Sequence, residues 1–232
     1  MDFWRGIVDP LTILIDWFPY LLSGIFITVG LVAVALLIGI ILGLPMALGQ
    51  VYGKHLIRSV ISIYVWFFRG LPVLVLLFLF YFGIFPGLGL DLPAFVVGAV
   101  VLGLRGAAYQ SQIFRGAIQS IAEGQMTAAR SLGMSRAQAI RSIILPQAMR
   151  IALPGWSNEY PEILTESSIC YAIGVAELLT RSSQIVSQTY VTMPIYLACA
   201  VMFILLSYAG THLIQRLEKR IAIPGFGPGS SS

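Results

Sequence analysis

Residues 25–48 read IFITVGLVAVALLIGIILGLPMAL, a run of 24 positions without one charged side chain. A helix of about 20 apolar residues is what a bilayer core of about 30 Å requires. The rest of the chain is built the same way. Over 232 residues, 58% are hydrophobic and 10% charged, and the mean hydropathy is +0.88. A soluble domain carries about 25% charged residues, so this chain lacks the polar surface to face water on all sides. In hydrocarbon each backbone N–H and C=O must be satisfied within the protein, and runs of this length do so as helices. The composition therefore predicts an all-α membrane protein.

Five stretches meet or approach the length of a span: 19–48, 60–85, 92–118, 151–175 and 194–217. The second is interrupted by Arg69-Gly70-Leu71-Pro72, and the fourth is the weakest, with three carboxylates and two prolines. An acidic, aromatic leader (Asp2, Trp4, Asp9, Asp16, Trp17) precedes the first, whereas a secretory signal starts basic and has a shorter apolar core. Short links near 49–55 and 86–93 read as tight turns. The chain reads as one domain, 1–222, closed by a flexible Gly/Pro/Ser-rich tail, 223–232, to which no function is given. Charge bias sets a direction. Lys54, Arg58, Arg115, Arg130, Arg136, Arg141, Arg150, Arg216, Lys219 and Arg220 lie on one side, and Arg5 and Arg181, among acidic residues, on the other. The positive-inside rule then predicts an outside N-terminus and a cytoplasmic C-terminus, which needs an odd number of spans and supports the fourth. The formal net charge of +4 is spread between apolar runs in this way, so no nucleic-acid partner is expected.

The long polar segment 119–147 holds Glu123-Gly124-Gln125-Met126-Thr127-Ala128-Ala129-Arg130-Ser131-Leu132-Gly133 followed by MSRAQAIRSIILP. Gly133 suits the left-handed residue that closes a helix. Ser135 with Gln138 three positions on makes a capping box, and Pro146 is expected to end the second helix. A small, basic helix-turn-helix of this kind fits a groove in a cytosolic partner. It equally fits the anionic lipid face.

The spacing Ala128-Ala129, three residues, Gly133, nine residues, Ile143-Ile144-Leu145-Pro146 resembles the cytoplasmic loop E-A-A-x3-G-x9-I-x-L-P of permease subunits of ATP-binding-cassette importers, and its flanks resemble the polar amino-acid permease subfamily. Arg69-Gly70-Leu71-Pro72 is similar to that family's R-G-T-P. Ala108-Tyr109 with Ile113-Phe114-Arg115-Gly116 is similar to A-Y-x-x-E-I-x-R-G, and Asn158-Glu159-Tyr160 to N-E-F. The resemblance implies a type I importer fold and a prokaryotic inner-membrane location. The implied partners are cytosolic ATPases that hold the ATP and Mg, a second permease subunit, and an extracytoplasmic binding protein that delivers an amino acid. It places ATPase coupling at Gly124, Thr127, Ala128, Ala129, Arg130 and Gly133, with no catalytic residue, metal or cofactor in this chain. The sequence departs from the pattern at four places: Thr127 and Gln112 replace Glu, Thr165 replaces Lys, and Pro161-Glu162 replaces two apolar residues.

Glu159, Glu162 and Glu166 follow at three and four residues, within about 60° of one helix face, with Asn158 beside them. Glu159 lies roughly 13 Å past Arg150 at 1.5 Å per residue. A central carboxylate costs at least about 2.5 kcal/mol to insert, so three cannot face lipid. They pair with Arg69 and Arg105, which sit at comparable depth, or they line the solute path. A spare carboxylate on that path would favour a basic or zwitterionic amino acid over an acidic one. Pro154 and Pro161 would free backbone groups beside such a cavity and give this helix a hinge.

Cys170 and Cys199 read as packing residues, and His55 and His212 stand apart from any ligand set. The aromatic residues of the second span read as packing and lipid-facing surface, and the glycines at 24, 30, 39, 43 and 49 as close helix contacts. A secondary transporter or channel is the alternative reading of the whole chain. An intramembrane hydrolase using Glu159 and Glu162 is a remote one, because no catalytic spacing accompanies them.

Overall fold

Prolines and glycines, rather than charge, decide where this chain turns. The computed structural model describes residues 10–121 and 123–221, and side chains over 12–121 and 124–216. Asp2, Trp4, Arg5 and Asp9, the tail 223–232, and the side chains of Glu123, Lys219 and Arg220 lie outside them. The described chain is helical almost throughout, with no strand among these residues.

Helix α1 spans Pro10–Tyr52, 43 residues, or about 65 Å at 1.5 Å per residue. The expected span 19–48 is its middle, because the flanks lack any residue that forbids helix. The expected turn shrinks to Gly53 and Lys54. Helix α2 (His55–Gly70) ends where Pro72 forces Leu71 into extended backbone, φ −104° and ψ 142°, as a residue before proline prefers. Helix α3 (Val73–Phe78) follows, then a π-helical turn (Leu79–Ile84) and α4 (Phe85–Gly87). The second span is therefore not one straight crossing. It breaks at Leu71 and Pro72.

Helix α5 (Ala94–Gln119) is the third span, close to the expected 92–118. Between it and the fourth span come α6 (Glu123–Ser131), α7 (Arg136–Ala139), a π-helical turn (Ile140–Ile144) and α8 (Leu145–Trp156). Pro146 does not end the helix, contrary to the sequence expectation. Leu145 N–H bonds to the carbonyl of Ile140, five residues back, and this wider turn makes room for a ring that would clash in an α-helical one. The same arrangement precedes Pro86, where Phe85 N–H bonds to Phe80.

The fourth span departs most from expectation. Helix α8 is separate, and the segment that passes as a broken span is α9 (Glu159–Ser167) with its 3-10 extension to Ile173, joined at 49° to α10 (Leu178–Thr189). Sequence 151–175 thus begins too early and stops too soon. Ser, Thr and Gln give α10 a polar composition that hides it. Its buried Glu177 accepts backbone bonds from Leu179 and Thr180 as the N-cap. Helix α11 (Thr192–Ile221) is the last. Among the described residues three helices are long and apolar enough to cross a membrane, and up to five segments are if each bent pair counts as one.

The chain packs as two compact units. Unit 1 comprises Met1–Ala35, Pro72–Leu102 and Pro161–Ala209. Its core gathers Leu21, Leu178, Ile185, Ile195, Cys199 and Met202. Cys170 and Cys199 are buried free thiols, as expected of packing residues. Unit 2 comprises Leu36–Leu71, Gly103–Tyr160 and Gly210–Ser232. Its core joins Ala47, Phe114, Ile118, Ile144, Ala148 and Ala152.

In unit 2 the backbones of α1 and α5 approach closely at Gly103. A Cβ there would stand 2.6 Å from Cβ of Ile38, an atom fixed to its own backbone. Gly103→Ala is expected to destabilise the chain by about 1–3 kcal/mol through overpacking, read as a lower thermal midpoint in detergent. Gly116→Ala, which meets nothing within 4 Å, is the control and should lose no stability.

Candidate functional site

Two places gather the residues singled out by sequence. The first is the elbow α6–α7. Gly133 adopts φ +83°, a conformation that costs other residues about 1–2 kcal/mol. Met134 N–H bonds to Ala129 O at 3.1 Å and Gly133 N–H to Arg130 O at 3.0 Å, the paired bonds of a Schellman close. Ser135 then caps α7: Gln138 N–H donates to its Oγ, and Ser135 N–H donates to Gln138 Oε1 at 2.7 Å. The turn expected from sequence is present atom for atom.

The structure also sorts the elbow's residues by the surface they face. Ala129 is only 1% exposed. It packs inside its own unit and cannot meet a partner. Gly124, Thr127, Ala128 and Arg130 are exposed, and Arg130 Nη1 donates to Met134 O, bracing the turn. Leu132, which the sequence did not single out, is 82% exposed. Its position just before the capping glycine was the available signal. Arg136 lies over the Tyr52 ring at 5.1 Å, tying the start of α7 to the end of α1. Between these elements is a cavity of about 540 Å³ lined by Tyr52, Ile118, Met126, Thr127 and Ile144.

The second place is α9, which carries the three carboxylates. Glu159, Glu162 and Glu166 all fall within α9, so their shared face is kept. Their exposure differs: Glu159 is 5% exposed, Glu166 is half-buried, and Glu162 and Asn158 are exposed. Helix α8 stops at Trp156 and α9 starts at Glu159; the break takes in Ser157, four residues before Pro161 and its missing N–H. Thr165 turns its hydroxyl onto Pro161 O at 2.8 Å.

Arg69 and Arg105 come together on one ring, in unit 2. Their guanidinium carbons lie 4.8 Å and 4.6 Å from the Tyr109 centroid, and Arg105 also donates to the Tyr109 hydroxyl at 3.2 Å. Each such contact is worth roughly 0.5–2 kcal/mol, more when water is excluded. Tyr109 was not picked out as a site residue, although its spacing of four from Arg105 on a helix was a usable signal.

Nearby, Gln112 donates to Gln50 Oε1 at 3.0 Å and accepts from Arg115 at 3.3 Å. Gln112 thus gives α5 a polar bridge to α1. Trp156 Nε1 donates to the buried Gln110 at 2.9 Å, holding α8 to α5.

Residues 35–223 match the family model of the binding-protein-dependent transport system inner membrane component. The chain belongs to that family. This inner-membrane component is 36% identical over 208 residues to the probable amino-acid ABC transporter permease protein YckA of Bacillus subtilis (strain 168), covering 90% of this chain and 92% of that one. It is 35% identical over 210 residues to the histidine/lysine/arginine/ornithine transport system permease protein HisM of Salmonella typhimurium (strain LT2), covering 87% and 89%. Among solved structures it is similar to an amino acid ABC transporter crystallised with histidines, with a TM-score of 0.82, 36% identity, and 92% and 99% coverage. The MetNI methionine ABC transporter, at 18% identity and a TM-score of 0.69 over 93% and 100% of the chains, shares the fold. The component is therefore membrane-bound and serves in transport, with the helical permease fold expected from its sequence.

Proposed function

We propose that this permease component moves a polar amino acid, basic or zwitterionic, inward by alternating access, driven by ATP hydrolysed in a separate cytosolic subunit that docks on the α6–α7 elbow. The observation that carries this reading is the elbow itself. It is a rigidly capped turn that presents Leu132, Thr127 and Ala128 outward while Met126 and Arg136 tie it to the membrane helices. A push on such an elbow reaches the spans without being absorbed. The chain does no covalent chemistry in this reading: ATP and Mg belong to the partner. A second permease subunit and an extracytoplasmic binding protein complete the assembly. The relatives' names support an amino-acid solute, and the carboxylates of α9 support a cationic group on it. The elbow must face the compartment that holds ATP, so the N-terminus is outside and the C-terminus cytoplasmic.

Co-purification with the ATPase, followed by hydrolysis measured in nanodiscs with binding protein and single amino acids, tests the proposal. The expected result is hydrolysis stimulated by binding protein carrying arginine, lysine, histidine or glutamine, and little by binding protein carrying glutamate. Solute flux through the isolated chain without any ATPase would instead identify a channel or secondary transporter. Labelling of a cysteine placed at Ser131 by a membrane-impermeant thiol reagent applied outside intact cells would overturn the orientation.

A further inference from the structure

The turn between α1 and α2 holds a basic cleft. A cleft of about 520 Å³ is lined by Gly53, His55, Arg58, Ser59 and Ser62, and the exposed Lys54 stands in the chain between the first two of them. His55, Arg58, Ser59 and Ser62 stand on α2 at intervals of three, one and three, so they share one face of the helix. That face is pre-shaped. Arg58 Nη2 donates to Val51 O at 3.1 Å, across the turn onto the last turn of α1. Ser59 Oγ lies 3.1 Å from His55 Nδ1. The guanidinium spends one N–H on this bond, and the rest remain to meet an anion. No carboxylate belongs to the lining.

The other half of the observation is apolar. Leu56, Val60 and Ile63 flank the polar face and are 75%, 59% and 65% exposed, and Trp66, one turn beyond Ser62, is 75% exposed. A basic, hydroxyl-lined cleft at the end of an apolar span, continued along the same helix by exposed apolar side chains, fits an amphiphile: phosphate at one end and acyl chain at the other. A free phosphate would use only the first half. Indole rings sit at the membrane–water boundary by preference, and basic pockets between membrane helices hold anionic headgroups. We propose that the α1–α2 turn is a binding site for one anionic phospholipid, its phosphate held by Arg58, Lys54 and the Ser59 and Ser62 hydroxyls, and its chain laid along Leu56, Ile63 and Trp66.

The test uses the full chain with its ATPase, exchanged into mixed phosphatidylglycerol and phosphatidylethanolamine and analysed by native mass spectrometry for retained lipid. One phosphatidylglycerol per permease chain is expected to persist under conditions that strip phosphatidylethanolamine. Retention should weaken about fivefold for each charge removed in Lys54→Gln/Arg58→Gln. Arg58→Lys, which keeps the charge, should restore most of it, and this guards against a misfolded double variant. Arg150→Gln, an exposed basic residue outside the cleft, should leave retention unchanged. Equal retention of the two lipids, an equal loss in Arg150→Gln, or displacement of the lipid by millimolar inorganic phosphate would each overturn the proposal. The last outcome would assign the cleft to a free anion.

Discussion

Leu132→Asp is expected to abolish solute-stimulated ATP hydrolysis and to release the ATPase during purification, with the permease chain itself still folded. The effect follows from where the side chain stands. Leu132 is 82% exposed at the tip of an elbow closed by Gly133 in the left-handed conformation. A large apolar side chain held rigidly in water contributes nothing to its own chain's stability, but it makes an anchor for a groove on another. Interface anchors of this kind cost at least about 2 kcal/mol when truncated, roughly thirtyfold in affinity, and a buried unpaired carboxylate adds to that. Exposed positions change folding by only about 0.5 kcal/mol, so the thermal midpoint of the isolated chain should not move. Leu132→Met keeps volume and apolarity and should bind nearly as the parent does. Full ATPase retention by Leu132→Asp would show that the elbow does not dock through its tip, and would point to Thr127 and Ala128 on the flank.

Much of this elbow was legible in the sequence because its determinants are local. Gly133, Ser135 and Gln138 act within a few residues of themselves, and each does in the structure what its chemistry requires. The five apolar segments were legible for a related reason, since hydrophobic length is a property of one stretch at a time. What stayed hidden depends on partners distant in the chain or on cooperative geometry. Pro146 looks like a stop until the π-helical turn before it is seen to absorb the ring. Helix α10 was concealed because its Ser, Thr and Gln side chains are satisfied inside unit 1, with Ser182 bonding Leu178 O and Thr180 bonding Val175 O. Arg69 and Tyr109 are 40 positions apart, and no spacing rule joins them. The Ala128-Ala129 pair reads as one unit in sequence. Only packing separates the exposed alanine from the buried one.

Packing also separates the three carboxylates of α9, and it makes their charge removal a divided experiment. Glu→Gln keeps volume and hydrogen-bonding capacity and deletes only the charge. Glu159 is 5% exposed, so Glu159→Gln acts first on folding. A carboxylate so buried has its charge met within the protein, and deleting that charge costs about 1–3 kcal/mol where the group it meets is left unsatisfied; the expected readout is a lower thermal midpoint with the solute response kept. Glu162 is exposed on the same helix. There the loss falls on the solute: the concentration giving half-maximal stimulation by a basic amino acid should rise at least about tenfold, equivalent to 1.4 kcal/mol, with the thermal midpoint unchanged. The same substitution should leave stimulation by a neutral amino acid nearly intact, because a neutral side chain offers no cation to lose. Glu166, half-buried, should show part of each effect. If all three variants keep the parent's solute dependence, the stripe is structural, and the selectivity for a cationic group must be sought elsewhere in the chain or in the binding protein. A loss confined to Glu159 would say the same of its exposed neighbours. Only a solute-specific shift at Glu162 makes α9 the wall of the path.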